Sequence, residues 1–125
     1  MINLEIKGGD LVLHIGGAVS KAFALRGTLT VPLAHVKGAR ARPAEMNDFG
    51  YQLWGVGTGE WAHGYFYVPK RGMVFADHSQ GDQVVAVDLD HERYSNLYIE
   101  VDGKSADQVV QMIEEAIKPA GAASR

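Results

Sequence analysis

The chain has 125 residues, a length that fits one domain able to bury about two-thirds of the surface that its unfolded form would expose. It contains no cysteine, which excludes disulfides, thiolate metal sites and cysteine nucleophiles. The net charge of -3 argues against a dedicated nucleic-acid-binding protein, because such domains usually carry a clearly basic face.

Charge is distributed unevenly along the chain. Residues 1–75 contain eight Lys or Arg against five Asp or Glu, whereas residues 76–125 contain four against ten. The two parts therefore carry net charges of +3 and -6. This asymmetry predicts a dipolar surface, or a patch that meets its opposite on a second copy, so we expect a protein partner or a homo-oligomer.

The first residues contain no apolar run of the length of a signal peptide or a membrane span, and they carry a charge by Glu5. The absence of cysteine is compatible with a reducing compartment. We therefore expect a cytoplasmic protein.

The first elements are predicted to be strands. Apolar residues alternate with polar ones on both sides of Gly8-Gly9, which predicts a hairpin closed by a tight turn. An irregular stretch over 18–27 then leads to strands over 28–33 and 35–42.

The middle of the chain has a loop and then further strands. Residues 43–52 have the Asn, Asp, Pro and Gly content of a loop, and a glycine-rich stretch follows. Four more strands are predicted, at 65–68, 73–76, 83–90 and 97–102.

One helix follows the strands. From Ser105 onward apolar residues recur at intervals of three and four, as in an amphipathic helix, and Gln108 completes a capping box with Ser105. Pro119 is predicted to end the helix. We expect a single domain over 1–119 and a flexible tail over 120–125.

This order of about seven short strands and then a helix predicts a mainly β, α+β fold. A helix with one apolar stripe must pack on a sheet, and a small curled sheet needs one open end covered. We therefore expect a seven-stranded antiparallel split barrel or orthogonal sandwich, capped by one C-terminal α-helix.

Several segments share phrases with a known family. They are VPLAHV (31–36), GTG (57–59) with Gly64-Tyr65-Phe66 after it, Phe75, and VVAVDLDHERYSNLYIEVD (84–102) running into the helix. In these segments the chain resembles the bacterial pleckstrin-homology-like (PH-like) proteins, small domains mostly of unknown function. The resemblance implies the capped barrel, an adaptor or assembly role and no catalytic apparatus.

The loop between the first two strands departs from lipid-binding pleckstrin-homology domains, which carry several basic residues there. Here the loop is Gly8-Gly9-Asp10, with Lys7 alone beside it. Because phosphate recognition needs charge-assisted donors, membrane phospholipid binding is not expected.

The stretch GVGTGEWAHGYF (55–66) could be a phosphate loop or a bend between strands. Residues 57–62 fit GxGxxA, but that fingerprint works only where a strand enters and a helix leaves, and aromatic strand residues follow here. We therefore interpret the glycines of this stretch as residues that allow positive φ and close backbone approach at a bend of the barrel; they are Gly55, Gly57, Gly59 and Gly64.

No motif for catalysis or metal binding occurs. By ligand type the best metal candidates are Asp77-His78 and the group Asp88, Asp90 and His91. These residues lie at predicted turns and strand ends, and the sequence has neither HExxH nor a G-x-S-x-G elbow. We expect no catalytic residue, no metal and no cofactor.

Aromatic residues flank the glycine-rich stretch. Trp54 and Trp61 could line a ligand mouth or form a partner contact, because large aromatics dominate interface hot spots. The opposing interpretation, that aromatics complete the core, is the one we favour for Phe66 and Phe75.

These observations predict a non-catalytic binding or assembly module that acts through exposed strand edges and the aromatic, glycine-rich stretch. Arg40 and Arg42 form a compact basic pair on one predicted strand face. Such a pair is usually a solvated surface, but opposite the acidic part of a second copy it could hold an oligomer together. The residues assigned to the ligand or partner surface are Trp54, Gly57, Gly59, Trp61, His63, Arg40 and Arg42.

Two other functions stay open. One is a small-ligand-binding protein or enzyme with a pocket near Trp54, Trp61 and His63. The other is single-strand nucleic-acid binding, which the acidic balance weakens because it needs a basic groove.

Overall fold

The computed structural model describes residues 2–25, 27–43, 51–57, 61–79, 83–90 and 93–123. The strands are β1 (Ile2–Lys7), β2 (Asp10–Ile15), β3 (Thr28–Pro32), β4 (Val36–Ala41), β5 (Tyr51–Gly57), β6 (Ala62–Val68), β7 (Gly72–His78), β8 (Val85–Leu89) and β9 (Asn96–Ile99). The helices are α1 (Ala18–Ala24) and α2 (Ala106–Ala123), and a 3-10 turn spans Leu33–His35.

The strands form two sheets. β1, β2 and β3 make an antiparallel meander, and the second sheet has six strands in the order β4-β8-β9-β7-β6-β5. Neighbouring strands of the second sheet are antiparallel except β7 and β9, which run parallel. β9 lies between β7 and β8.

The predicted class, mainly β with a C-terminal helix, is confirmed. The predicted barrel is not seen: within the described ranges neither sheet closes on itself, and nine strands replace the expected seven. Residues 51–57, expected to be loop and bend, form β5. Gly55 and Gly57 interrupt its apolar alternation, which is why the sequence pattern does not reveal this strand.

The first hairpin is confirmed. The β1–β2 ladder runs from Ile2 opposite Ile15 to Lys7 opposite Asp10, and Gly8 and Gly9 have φ of 59° and 83°. Across this ladder the side chain of His14 hydrogen-bonds Glu5 at 2.9 Å, and this bond holds the pKa of the Glu5 carboxyl below its ordinary value.

Residues 18–24, expected to be irregular, form α1. Leu25 ends the helix with φ of 61°, and its N–H donates to the carbonyl of Lys21 at 2.9 Å. So short a helix has little stability of its own. It is held against β6, where the Tyr65 hydroxyl donates to the carbonyl of Ala24 at 2.5 Å.

The main core lies between the two sheets and α2. Leu13 of β2, Val87 of β8 and Ile113 of α2 are fully buried in it. A smaller cluster, which includes Phe66 and Tyr98, lies on the opposite face of the six-stranded sheet, because successive strand residues point to opposite faces.

Helix α2 begins at the predicted capping box. The N–H of Ser105 donates to Gln108 Oε1 at 2.8 Å, and the N–H of Gln108 donates to Ser105 Oγ at 3.2 Å. The helix continues through Pro119 to Ala123, past its predicted end. Proline disfavours a helix interior, because it lacks the N–H donor and its ring crowds the preceding turn, but three of the next four residues are alanine, the best helix former.

Neither described helix combines the length and the apolar character needed to cross a membrane.

Candidate functional site

The glycine-rich stretch forms a close β5–β6 ladder. Gly57 and Gly64 have φ of 140° and 120°, and a Cβ at Gly64 would overlap the carbonyl oxygen of Trp54 on the facing strand. A Cβ at Gly57 would likewise overlap the carbonyl oxygen of Trp61. These glycines therefore let two backbones approach, as predicted, and strand β6 stands where a nucleotide loop would need a helix. Gly59 lies outside the described residues.

Large apolar side chains stand exposed along this ladder. Leu53, Trp54 and Trp61 are 55%, 52% and 42% exposed. Trp54 is oriented by α1, because its Nε1–H donates to the carbonyl of Ala22 at 3.3 Å. By contrast Phe66 and Phe75 are buried, which confirms their predicted core role.

The exposed aromatics lie beside an edge of the six-stranded sheet. In the described part of the chain β5 pairs with β6 alone, so its other side is an edge. The ladder shifts by one residue between Gln52 and Trp54, which leaves Leu53 as a bulge and residues 54–57 in regular pairing. Residues 51–57 contain no charge and no proline. Of the devices that usually discourage pairing at an edge, the described residues of β5 show one bulge and a contact with α1 through Trp54.

The other edge of the same sheet, β4, is differently built. It carries Lys37 and Arg40, and the N–H of Ala39 donates to Glu114 Oε1 of α2 at 3.1 Å. A bulge at Lys37 also shifts its register, since Val36 faces Leu89 but Gly38 faces Asp88. Charge, bulge and helix together block this edge.

The predicted basic pair is engaged within the chain. Arg40 Nε and Nη2 donate to the two carboxylate oxygens of Asp88, both at 2.8 Å. Arg42, which has φ of 51°, donates to Asp107 of α2 at 3.1 Å. Because the positive φ turns Arg42 away from the strand, the two arginines do not form the joint patch expected from strand alternation.

His63 belongs to a polar cluster that the sequence analysis missed. Asp77 Oδ1 accepts hydrogen bonds from His63 Nδ1 at 2.5 Å and from Ser20 Oγ at 2.9 Å. The side chain of Asp77 is 1% exposed and that of His63 is 14% exposed. A buried carboxylate at Nδ1 places the proton there and leaves Nε2 as the basic nitrogen of the neutral ring.

This cluster is not a serine-hydrolase triad. In a triad the serine approaches Nε2 and the aspartate holds Nδ1. Here Ser20 Oγ lies 3.5 Å from Nδ1, the same nitrogen that faces Asp77. Ser20 therefore helps to fix the His63–Asp77 pair and is not placed to be activated as a nucleophile.

Strand register is the signal that could have revealed part of this cluster. In the structure Val68 pairs with Gly72, and counting outward along the two strands from that pair brings His63 opposite Asp77. Ser20 gives no such signal, because α1 was not predicted.

The metal candidates do not converge. Across the described ranges no group of three or more His, Asp or Glu side chains is placed to hold a metal ion. Asp88 accepts instead from Arg40 and from Asn96 Nδ2, the latter at 2.6 Å. His91 lies outside the described residues.

Comparison of the chain with protein-family models, with curated proteins and with solved structures finds no match.

Proposed function

We propose that this chain is a non-catalytic, PH-like binding module that self-associates by pairing β5 with β5 of a second copy. The observation that supports this proposal is the contrast between the two edges of one sheet. β4 carries charges and is partly covered by α2, whereas β5 carries neither charge nor proline. Edges of natural sheets are usually protected, so an uncharged edge favours an interface.

The side chains on β5 and next to it suit such an interface. Exposed apolar groups at Leu53, Trp54 and Trp61 would be removed from water on association. Tryptophan is also enriched among the residues that carry most of the binding energy of interfaces.

The sequence of β5 favours a second copy of the chain as the partner that pairs with its edge. Two-fold antiparallel pairing places each strand against an identical one, so any charge near the axis would meet a like charge. β5 carries none. Residues 54–57, which are regularly paired with β6, would supply the backbone donors and acceptors of the new ladder.

The PH-like assignment is part of this proposal. It is supported by the resembling phrases and by the general arrangement of two sheets with a C-terminal amphipathic helix. The resemblance also implies a more specific architecture, a capped split barrel, and we propose that architecture together with the PH-like assignment.

The experiment is light scattering on the wild type and on Leu53→Lys over a range of concentrations. The wild type should reach a mass of twice 13.6 kDa. A lysine at the edge should raise the dimer Kd at least about tenfold, because two copies would bring two charges into a shared apolar contact.

Ile6→Lys is the matched control. Ile6 is a partly exposed aliphatic residue on a strand of the other sheet, at 37% exposure, so its substitution adds the same charge away from β5. The control should dimerise like the wild type, with an unchanged far-UV circular dichroism spectrum in both variants. A monomeric wild type, or equal loss of dimer in both variants, would contradict the proposal.

The alternative function is small-ligand binding or catalysis near Trp54, Trp61 and His63. It is favoured by the His63–Asp77 contact, since a carboxylate that fixes the imidazole is a common feature of general-base sites. Native mass spectrometry that found one small molecule per chain, lost in His63→Ala, would support this alternative over the assembly role.

A further inference from the structure

An open cleft lies where β8 ends and where β4, β7 and β9 begin. Its volume is about 790 Å³, within the range of small-molecule sites. The cleft takes no residue from β5, so its function is independent of the proposed self-association.

The charged residues of this cleft differ in balance from the chain as a whole. Among the described residues that line it are four cations and two carboxylates, namely Lys37, Arg40, Arg71, Arg93, Asp88 and Asp90. Their formal sum is +2, in a chain whose net charge is -3. A concave surface with a net positive charge attracts anions.

Two of the arginines, Arg40 and Arg71, are held in place by a row of hydrogen bonds that runs across the sheet. Arg40 is bound to both oxygens of Asp88 at 2.8 Å, and Asn96 donates to Asp88 at 2.6 Å. Arg71 Nη2 donates in turn to Asn96 Oδ1 at 2.5 Å and to the Tyr98 hydroxyl.

This row of hydrogen bonds reduces the side-chain entropy that would be lost when a ligand binds. Asn96 and Tyr98 are 5% and 0% exposed, so the Arg71 head is anchored to rigid, buried groups. A guanidinium that is already ordered loses little side-chain entropy when a ligand arrives, and its planar donors match an oxyanion. Two exposed residues add further charge to the wall: Lys37, on β4 with Arg40, and Arg93, on the segment before β9.

We infer that this cleft binds the phosphate group of a small phosphomonoester. The charge balance of the described lining residues favours one oxyanion over another: a phosphomonoester carries about -1.5 to -2 at pH 7, which matches their sum of +2, whereas a simple carboxylate carries one charge. The volume leaves room for an organic group beside the phosphate.

The test is to titrate the full chain with three probes at constant ionic strength. Binding is monitored by amide chemical shifts and by calorimetry. The probes are glucose 6-phosphate, inorganic phosphate and gluconate, which resembles the sugar but has a carboxylate. We expect saturable binding of glucose 6-phosphate with shifts at residues 71–73 and 93–96. Inorganic phosphate should compete for the same residues, and gluconate should bind at least about tenfold more weakly.

Arg93→Gln is the main variant, because Arg93 is exposed and its loss should leave the fold intact. We expect its Kd for glucose 6-phosphate to rise about tenfold, the usual effect of removing one charge-assisted donor. Arg42→Gln, which removes the same charge outside the cleft lining, should change the Kd less than about twofold.

Three results would each overturn the inference. They are the absence of saturable shifts around the cleft, gluconate binding as tight as that of glucose 6-phosphate, and equal weakening in the two arginine variants. A wild type that dimerises but binds no phosphate would leave the assembly proposal standing, and a monomer that binds phosphate would do the reverse.

Discussion

At the scale of single residues, substitutions at Gly64 and Gly72 distinguish the effect of backbone strain from the effect of steric overlap. Both have positive φ, 120° and 115°, but an added Cβ meets nothing within 4 Å at Gly72 and overlaps the Trp54 carbonyl at Gly64. Gly72→Ala should therefore lower the free energy of unfolding by about 1–2 kcal/mol, through strain alone. Gly64→Ala should cost about 1–3 kcal/mol more, because β5 must move.

Urea denaturation of the two variants measures this difference. Gly72→Ala is the control for the positive φ, so equal midpoints for the two variants would contradict a close β5–β6 approach at Gly64. A larger loss in Gly64→Ala would account physically for the glycine-rich composition of this segment.

The polar cluster around His63 could not be read from the sequence, because its members lie on different elements. In the sequence His63 stands out through its position near two tryptophans, but its partners Asp77 and Ser20 come from β7 and α1. The sequence pairs Asp77 with its neighbour His78 as a metal candidate, whereas the structure joins Asp77 to His63 across the ladder. Cross-strand contacts depend on register, which composition and local spacing do not encode.

At the scale of elements, the start of α2 depends on its capping box. Ser105→Ala removes the hydroxyl that accepts from the N–H of Gln108, so the free energy of unfolding should fall by about 1 kcal/mol. Chemical denaturation monitored by circular dichroism measures the loss.

Gln111→Ala is the control for this helix. Gln111 is exposed and donates to Glu115 at 3.2 Å within the same helix, so its loss should change stability by less than about 0.5 kcal/mol. A Ser105→Ala variant as stable as this control would show that the cap adds nothing to the fold.

Strand β4 illustrates how an element can be found while its faces are assigned wrongly. The strand was predicted at 35–42, with Arg40 and Arg42 on one face. The bulge at Lys37 inserts one residue, so Val36 and Ala39 both reach the core. A single inserted residue inverts every later side chain of a strand, and the letters of the sequence do not mark it.

At the scale of the whole molecule, one core joins both sheets to α2. Residues from β2, β8 and α2 meet in a single cluster, so the two sheets should lose structure together. We expect coincident urea transitions by tryptophan fluorescence and by far-UV circular dichroism.

The two probes report different parts of the molecule. Trp54 and Trp61 lie at the β5–β6 end, whereas circular dichroism averages over both sheets and both helices. A fluorescence transition at clearly lower urea would indicate that β5 and β6 unfold by themselves, against this prediction.

The sequence by itself determined the mainly β class, the first hairpin, the buried Phe66 and Phe75, and the capped start of α2. These features depend on the alternation of neighbouring residues, on glycine dihedrals and on spacings of three or four, all of which are local. Tertiary structure decided the insertion of β9 beside β7, the Asp77–His63–Ser20 cluster, and the uncharged edge at β5. It also assembled the cationic cleft from four separate segments. Those features depend on sheet order and register, which are set by the burial of the whole core and not by any one segment.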